Sequence, residues 1–149
     1  MNRLVIYIAT MGHMGYSPLA PATLSTLPWL VFLMLFRPSW QIIIVLIIAV
    51  FLIGTAAFYR LRRSGDTKNS GHIVIDKALG FLISILFIEP GFVILCIAFV
   101  LIRAFEILKP PPVNYAKRWF KEGFAFMFDD VMAGLYVNVI LQIATGMRF

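Results

Sequence analysis

Several ionisable residues stand where an apolar sequence has no obvious structural use for them. Asp76 and Lys77 interrupt the apolar run 73–88. Arg103 and Glu106 lie three apart near the end of a second run, on one helical face. Lys109 heads Pro110-Pro111-Pro112, and Asp129-Asp130 break the apolar stretch 124–136. Carboxylates contributed by separate segments resemble a hard-cation site. Mg²⁺ takes oxygen ligands, keeps waters, and is often held by one or two carboxylates plus a substrate phosphate. Arg103 and Lys109 suit the oxygens of such a phosphate. Upstream, residues 11–26 combine small residues with two prolines, a rigid loop leading into a helix. Thr23, Ser25 and Thr26 place hydroxyls and backbone N–H groups near that helix start, a seat for an anion.

Each feature also has a structural reading. Arg103 and Glu106 form an intrahelical ion pair. Lys77 snorkels to an interface. It sits about 100° around a helix from Asp76, so the two do not face each other squarely. Asp129-Asp130 mark a helix start, one capping and both favoured by the dipole. Lys109 anchors a membrane face, as do Arg60, Arg62 and Arg63. His13 and His72 are too far apart for a His-x-x-x-His zinc pattern. The single cysteine, Cys96, excludes a disulfide framework, and its apolar surroundings disfavour a thiolate. Neither an Asp-x-Asp-x-Thr nor a Cys-x₅-Arg phosphatase pattern occurs.

The elements that must position these groups follow from composition. The 149 residues are 61% hydrophobic and 13% charged, with mean hydropathy +0.91. A soluble domain is roughly 45–50% apolar and about 25% charged. A water-soluble globule and a disordered chain are therefore excluded. The expectation is an all-α, polytopic helical bundle of four to five apolar segments, a single integral membrane domain over 1–149. The clearest span is 40–59. Pro90-Gly91 turns a hairpin with one arm near 73–88 and the other near 92–108. Another run covers 131–145, starting nearer Gly123. The run 24–36 is short, contains Pro28, and either spans or is re-entrant. The opening run 4–9 is not read as a cleaved signal peptide.

The net charge of +6 sets topology rather than nucleic-acid binding, since the basic residues lie between hydrophobic runs. Arg60, Arg62, Arg63 and Lys68 fall in one loop; Lys109, Lys117, Arg118 and Lys121 fall in the next. Both are cytoplasmic by the positive-inside rule, leaving Arg37 and Arg148 outside. The polar segments 10–26, 60–77, 103–121 and 122–130 then gather on one face, with every acidic residue except Glu89. A site built from them sits at the cytoplasmic leaflet, among lipid headgroups.

Four ordered motifs resemble those of the phosphatidylglycerophosphatase A family. Gly15, Pro18, Ala20, Pro21, Thr23 and Leu27 match the first. Ile73, Val74, Asp76 and Gly80 match the second. Arg103, Phe105, Lys109, Pro110 and Pro112 match the third, and Met127, Asp129, Asp130, Ala133 and Gly134 the fourth. The resemblance implies a bacterial inner-membrane enzyme that uses Mg²⁺ to dephosphorylate phosphatidylglycerol phosphate. It implies that Asp76, Glu106, Asp129 and Asp130 hold the metal, and that Arg103 and Lys109 bind the anionic glycerophospholipid. It also implies that Asp76, Asp129, Asp130 and Thr23 serve catalysis.

The departures are specific. Lys77 stands in place of a Glu, Glu106 in place of an Asp, and Ala22 and Ser25 in place of two glycines. Lys77 reverses a charge at the presumed metal site. Two rival readings stay open. In one, Lys77 occupies the cation's position and pairs with Asp76, Asp129 or Asp130, in a lipid-binding or regulatory relative. In the other, the chain is a small transporter or channel with carboxylates in broken helices. Gly80 and Gly134 allow close helix packing, within one chain or in a homo-oligomer.

Overall fold

The computed structural model describes residues 3–65, 72–108, 111, 115–119 and 122–146. The regular elements among them are helical. In chain order they are α1 (Arg3–Ala9), a 3₁₀ turn (Met14–Tyr16), α2 (Pro21–Phe36), α3 (Trp40–Arg63), α4 (Ile75–Ser84), α5 (Phe92–Leu108), α6 (Ala116–Trp119) and α7 (Glu122–Ala144). Pro21 opens α2, where its missing N–H costs nothing and its fixed φ favours the helix. Arg37, left-handed at φ 41°, ends that helix ahead of Pro38.

Two helices are long and apolar enough to cross a bilayer, α3 and the 123–144 portion of α7. At 24 residues, α3 extends about 36 Å, against a hydrocarbon core of about 30 Å. It leaves Val45, Ile48 and Leu52 exposed. In water that surface would be a liability; against acyl chains it is ordinary. The run expected over 131–145 is longer than its apolar core, because α7 begins at Glu122. Asp129 and Asp130 therefore lie well inside a helix. This corrects the helix-start reading: they cap nothing.

The hairpin arm expected over 73–88 is instead a short buried helix. α4 has ten residues, about 15 Å, half of what a bilayer crossing needs. Every residue in it except Lys77 is buried. It is enclosed by α2, α3, α5 and α7. Its end is set from outside. Asn138 of α7 donates through Nδ2 to the carbonyls of Ile83 (3.1 Å), Ser84 (3.2 Å) and Leu86 (2.8 Å). Gln142 Nε2 donates in turn to Asn138 Oδ1 at 2.7 Å. Carbonyls that a helix end leaves unpaired are thus satisfied in an apolar surround.

Small residues bring α4 and α7 into backbone contact. A Cβ on Gly134 would lie 2.5 Å from the Gly80 carbonyl oxygen, and one on Gly80 would lie 2.9 Å from that of Asp130. The helix ends also meet in one layer. Val74 N–H donates to Ala9 O at 3.0 Å. His72 Nδ1 and Gly15 O are 3.0 Å apart, and Tyr59 at the end of α3 packs on Gly123 at the start of α7. Through these described contacts the ends of α1, α3, α4 and α7 and the 3₁₀ turn meet.

Two substitutions test this packing. Gly134→Ala should destabilise the protein by about 1–3 kcal/mol, because its methyl meets backbone that cannot rotate away. Asn138→Leu should cost about 1–3 kcal/mol through the carbonyls it strands. Denaturant unfolding in detergent micelles checks both, and unchanged midpoints would contradict the packing described.

Candidate active site

Asp76 enters the site from the first turn of α4, with Lys77 directly after it. Asp130 comes from α7, at the level where Gly80 admits its backbone. Both carboxylates are buried, at 1% and 3% exposure. Lys77 bends between them. Its Nζ donates to Asp76 Oδ2 at 2.8 Å and to Asp130 Oδ2 and Oδ1 at 2.8 and 3.1 Å. Adjacent residues on a helix do not face each other squarely, but the four-carbon stem of lysine reaches round to make the contact. The side chain keeps 24% of its surface exposed.

A second pair sits on α5. Arg103 Nη1 lies 2.7 Å from Glu106 Oε2, one helical turn on. Arg103 Nη2 donates to Thr26 Oγ1 at 3.0 Å, which ties α5 to α2. Glu106 has Asp130 and Lys77 among its charged neighbours, so both pairs belong to one cluster. Its described core sets three carboxyl groups against two cations in a poorly solvated place. The buried polar atoms without a hydrogen-bond partner among the described residues include three in this cluster: Asp76 Oδ1, Glu106 Oε1 and Arg103 Nε. Two are acceptors and one is a donor, a set able to engage water and an anion.

The structure thus brings together Asp76, Asp130, Glu106 and Arg103, as expected, with Lys77 at the centre. Asp129 follows on α7 and is half-buried. Thr23 is half-buried in the first turns of α2. Lys109 lies outside the described residues. The hydroxyls of Ser25 and Thr26 donate back to Ala22 O, at 2.9 and 2.7 Å. Their protons are committed, so the anion seat does not draw on them. Thr26 matters instead as an acceptor for Arg103. Sequence reasoning missed that role, since the two are 77 residues apart and no local pattern joins them.

Whether a divalent ion fits can be judged from the donor set. Mg²⁺ needs about six oxygens at about 2.0–2.1 Å. Among the described residues, no three His, Cys, Asp or Glu side chains are gathered to share one ion. Asp76 and Asp130 meet through an ammonium. A divalent ion about 4 Å from that ammonium would be repelled by about 8 kcal/mol at an effective dielectric of about 20. With Lys77 in place, these residues do not fit Mg²⁺ between Asp76 and Asp130.

Comparison with known proteins gives the arrangement its context. A family model described as phosphatidylglycerophosphatase A matches residues 7–145. A Bacteroides thetaiotaomicron protein named "Putative phosphatidylinositol-3-phosphatase" is 29% identical over 150 residues, covering 95% of this chain and 93% of its own length. Phosphatidylglycerophosphatase A of Escherichia coli is 28% identical over 130 residues, covering 85% of this chain and 75% of its own. That of Haemophilus influenzae is 32% identical over 92 residues, covering 61% and 56%. No solved structure matches the chain. The family match takes in the buried cluster and the helices that carry it, and the chain belongs to the phosphatidylglycerophosphatase A family.

Proposed function

We propose that this chain is a phospholipid phosphatase that hydrolyses a phosphomonoester on an anionic glycerophospholipid headgroup. Phosphatidylglycerol phosphate is the first substrate to consider, given the family. The observation that carries the reading is the buried cluster of Lys77, Asp76, Asp130, Arg103 and Glu106 in an otherwise apolar bundle. Charges are too costly there to persist as ornament.

The chemistry follows from what each group has left to give. Arg103 holds a spare N–H at Nε, and with the Lys77 ammonium it opposes charge building on the phosphoryl oxygens. Asp76 Oδ1 is an acceptor without a donor. It takes the proton of a water whose oxygen bonds to phosphorus as the ester P–O bond breaks. Asp76 then returns that proton to the departing headgroup oxygen, and the products are an alcohol and inorganic phosphate. Thr23 and Lys109 are assigned to phosphate oxygens, and Asp129 to the same rim beside Asp130. No step passes through a metal, because Lys77 already spans the carboxylates.

In this reading α3 and α7 cross a bacterial inner membrane, and α2 and α5 lie in the same bilayer around α4. Arg60, Arg62 and Arg63 in the last turn of α3 support assigning that end to the cytoplasmic leaflet. The acyl chains then stay in the bilayer while the headgroup reaches the cluster. A second reading of the headgroup has specific support. The relative that matches nearly end to end carries a phosphatidylinositol phosphatase name. An inositol phosphate and a glycerol phosphate present the same phosphomonoester to Lys77 and Arg103.

Phosphate release decides the matter, measured with the full chain in phospholipid nanodiscs. Phosphatidylglycerol phosphate and phosphatidylinositol 3-phosphate are offered separately. Release is expected from at least one, lost in Asp76→Asn. Arg103→Lys keeps the charge but not the fork to Thr26 and Glu106, and should lower kcat/KM by about 100-fold. Folded protein that binds both lipids and releases nothing would make the chain a lipid-binding relative instead.

A further inference from the structure

The cluster contains a feature that a carboxylate-rich metal site has no use for. Asp76 and Asp130 arise on different helices, and both are buried. Two such carboxylates repel each other unless one keeps its proton or a cation lies between them. That position is held by Lys77 Nζ, 2.8 Å from an oxygen of each. An ammonium has three protons to donate, and here they are spread over Asp76 Oδ2 and both oxygens of Asp130. The geometry is a chelate closed by a cation that is covalently part of the chain.

Neighbouring charges support the same conclusion. Glu106 adds a third carboxylate facing Asp130 and Lys77. Arg103 answers it from the same helix and is itself fixed by Thr26. Both cations of the cluster, Lys77 and Arg103, are thus set against described carboxylates. A divalent ion could enter between Asp76 and Asp130 only by displacing Lys77. The carboxylates would then be kept, and the ammonium would have to find a new partner in an apolar surround. Snorkelling does not explain the placement either. A lysine serving only to reach water would point away from Asp130, not across to a second helix.

We propose that Lys77 is the resident cation of this site. Its ammonium gathers and neutralises Asp76 and Asp130 in the way a bound divalent ion otherwise would, so that the chain builds its site without one. The inference deepens the phosphatase reading and rests on it for the activity arm only. The structural arm stands on the Lys77 geometry alone.

The test separates the two. Thermal unfolding of the full chain in detergent is followed in EDTA and in millimolar MgCl₂, at matched ionic strength. The wild-type midpoint should not move, and phosphate release should be the same in both. Lys77→Met leaves two buried carboxylates without their cation. Its midpoint in EDTA should fall, and Mg²⁺ should restore about 5 °C of it. Lys77→Glu should behave likewise and bind Mg²⁺ in equilibrium titration, where the wild type binds none. A wild-type midpoint that Mg²⁺ raises by about 5 °C, or Mg²⁺ titrating into the wild type, would overturn the inference. So would a Lys77→Met variant as stable as the wild type and indifferent to Mg²⁺. If neither variant folds, the wild-type titration still decides. If the wild type releases no phosphate in either buffer, the phosphatase reading falls while the unfolding and titration results judge Lys77.

Discussion

The cost of burying charge governs this molecule. In a chain this apolar, each ionised group away from water must be answered by an opposite one or it unfolds its surroundings. The Lys77 bridge to Asp76 and Asp130 is where that demand is most severe, and the packing serves it. α4 is enclosed on several sides with only Lys77 escaping burial, and α7 runs unbroken past Asp129-Asp130. A buried ion pair of this kind contributes little net stability against an apolar replacement. What it does supply is a fixed relation between two helices that apolar packing alone would leave free to slide.

Two further devices keep that relation. The contact of Gly134 with the Gly80 carbonyl brings the two backbones together, so that the aspartate on α7 lands beside the lysine on α4. Lower down, Asn138 caps α4 with three hydrogen bonds. Without a helix–helix hydrophobic effect inside a membrane, small residues and polar contacts of this kind carry association. The seam and the cap lie about one and two turns beyond Asp130, on the face of α7 that carries it. Arg103 plays the corresponding part between α5 and α2, through Thr26.

These constraints also shape the chemistry. A cation tethered to the chain cannot leave, exchange or be chelated, and it has fewer coordination positions to offer than a metal. An ammonium attracts a phosphate as a point charge, whereas Arg103 offers a planar fork with directional donors. The division of labour is then between a central lysine that organises carboxylates and a peripheral arginine with an uncommitted N–H.

Much of this was legible in the sequence for a simple reason. Composition is a one-dimensional property, so the all-helical, membrane-type character follows from apolar content and the long run at 40–59. Ionisable residues in apolar runs stand out by contrast alone, which is why Asp76, Arg103, Glu106 and Asp130 were identifiable as a site before any contact was known. The length of α4 was not legible, because it is ended by an asparagine 54 residues away, and the place of Asp129-Asp130 was misread because they look locally like a helix start. Nor could Thr26 be read as the partner of Arg103. The sequence by itself determined that charge would be buried and on which residues. Only the tertiary structure decided how it is balanced, because Lys77 and Asp130 are 53 residues apart and a cation's partner is set by which helix packs beside it.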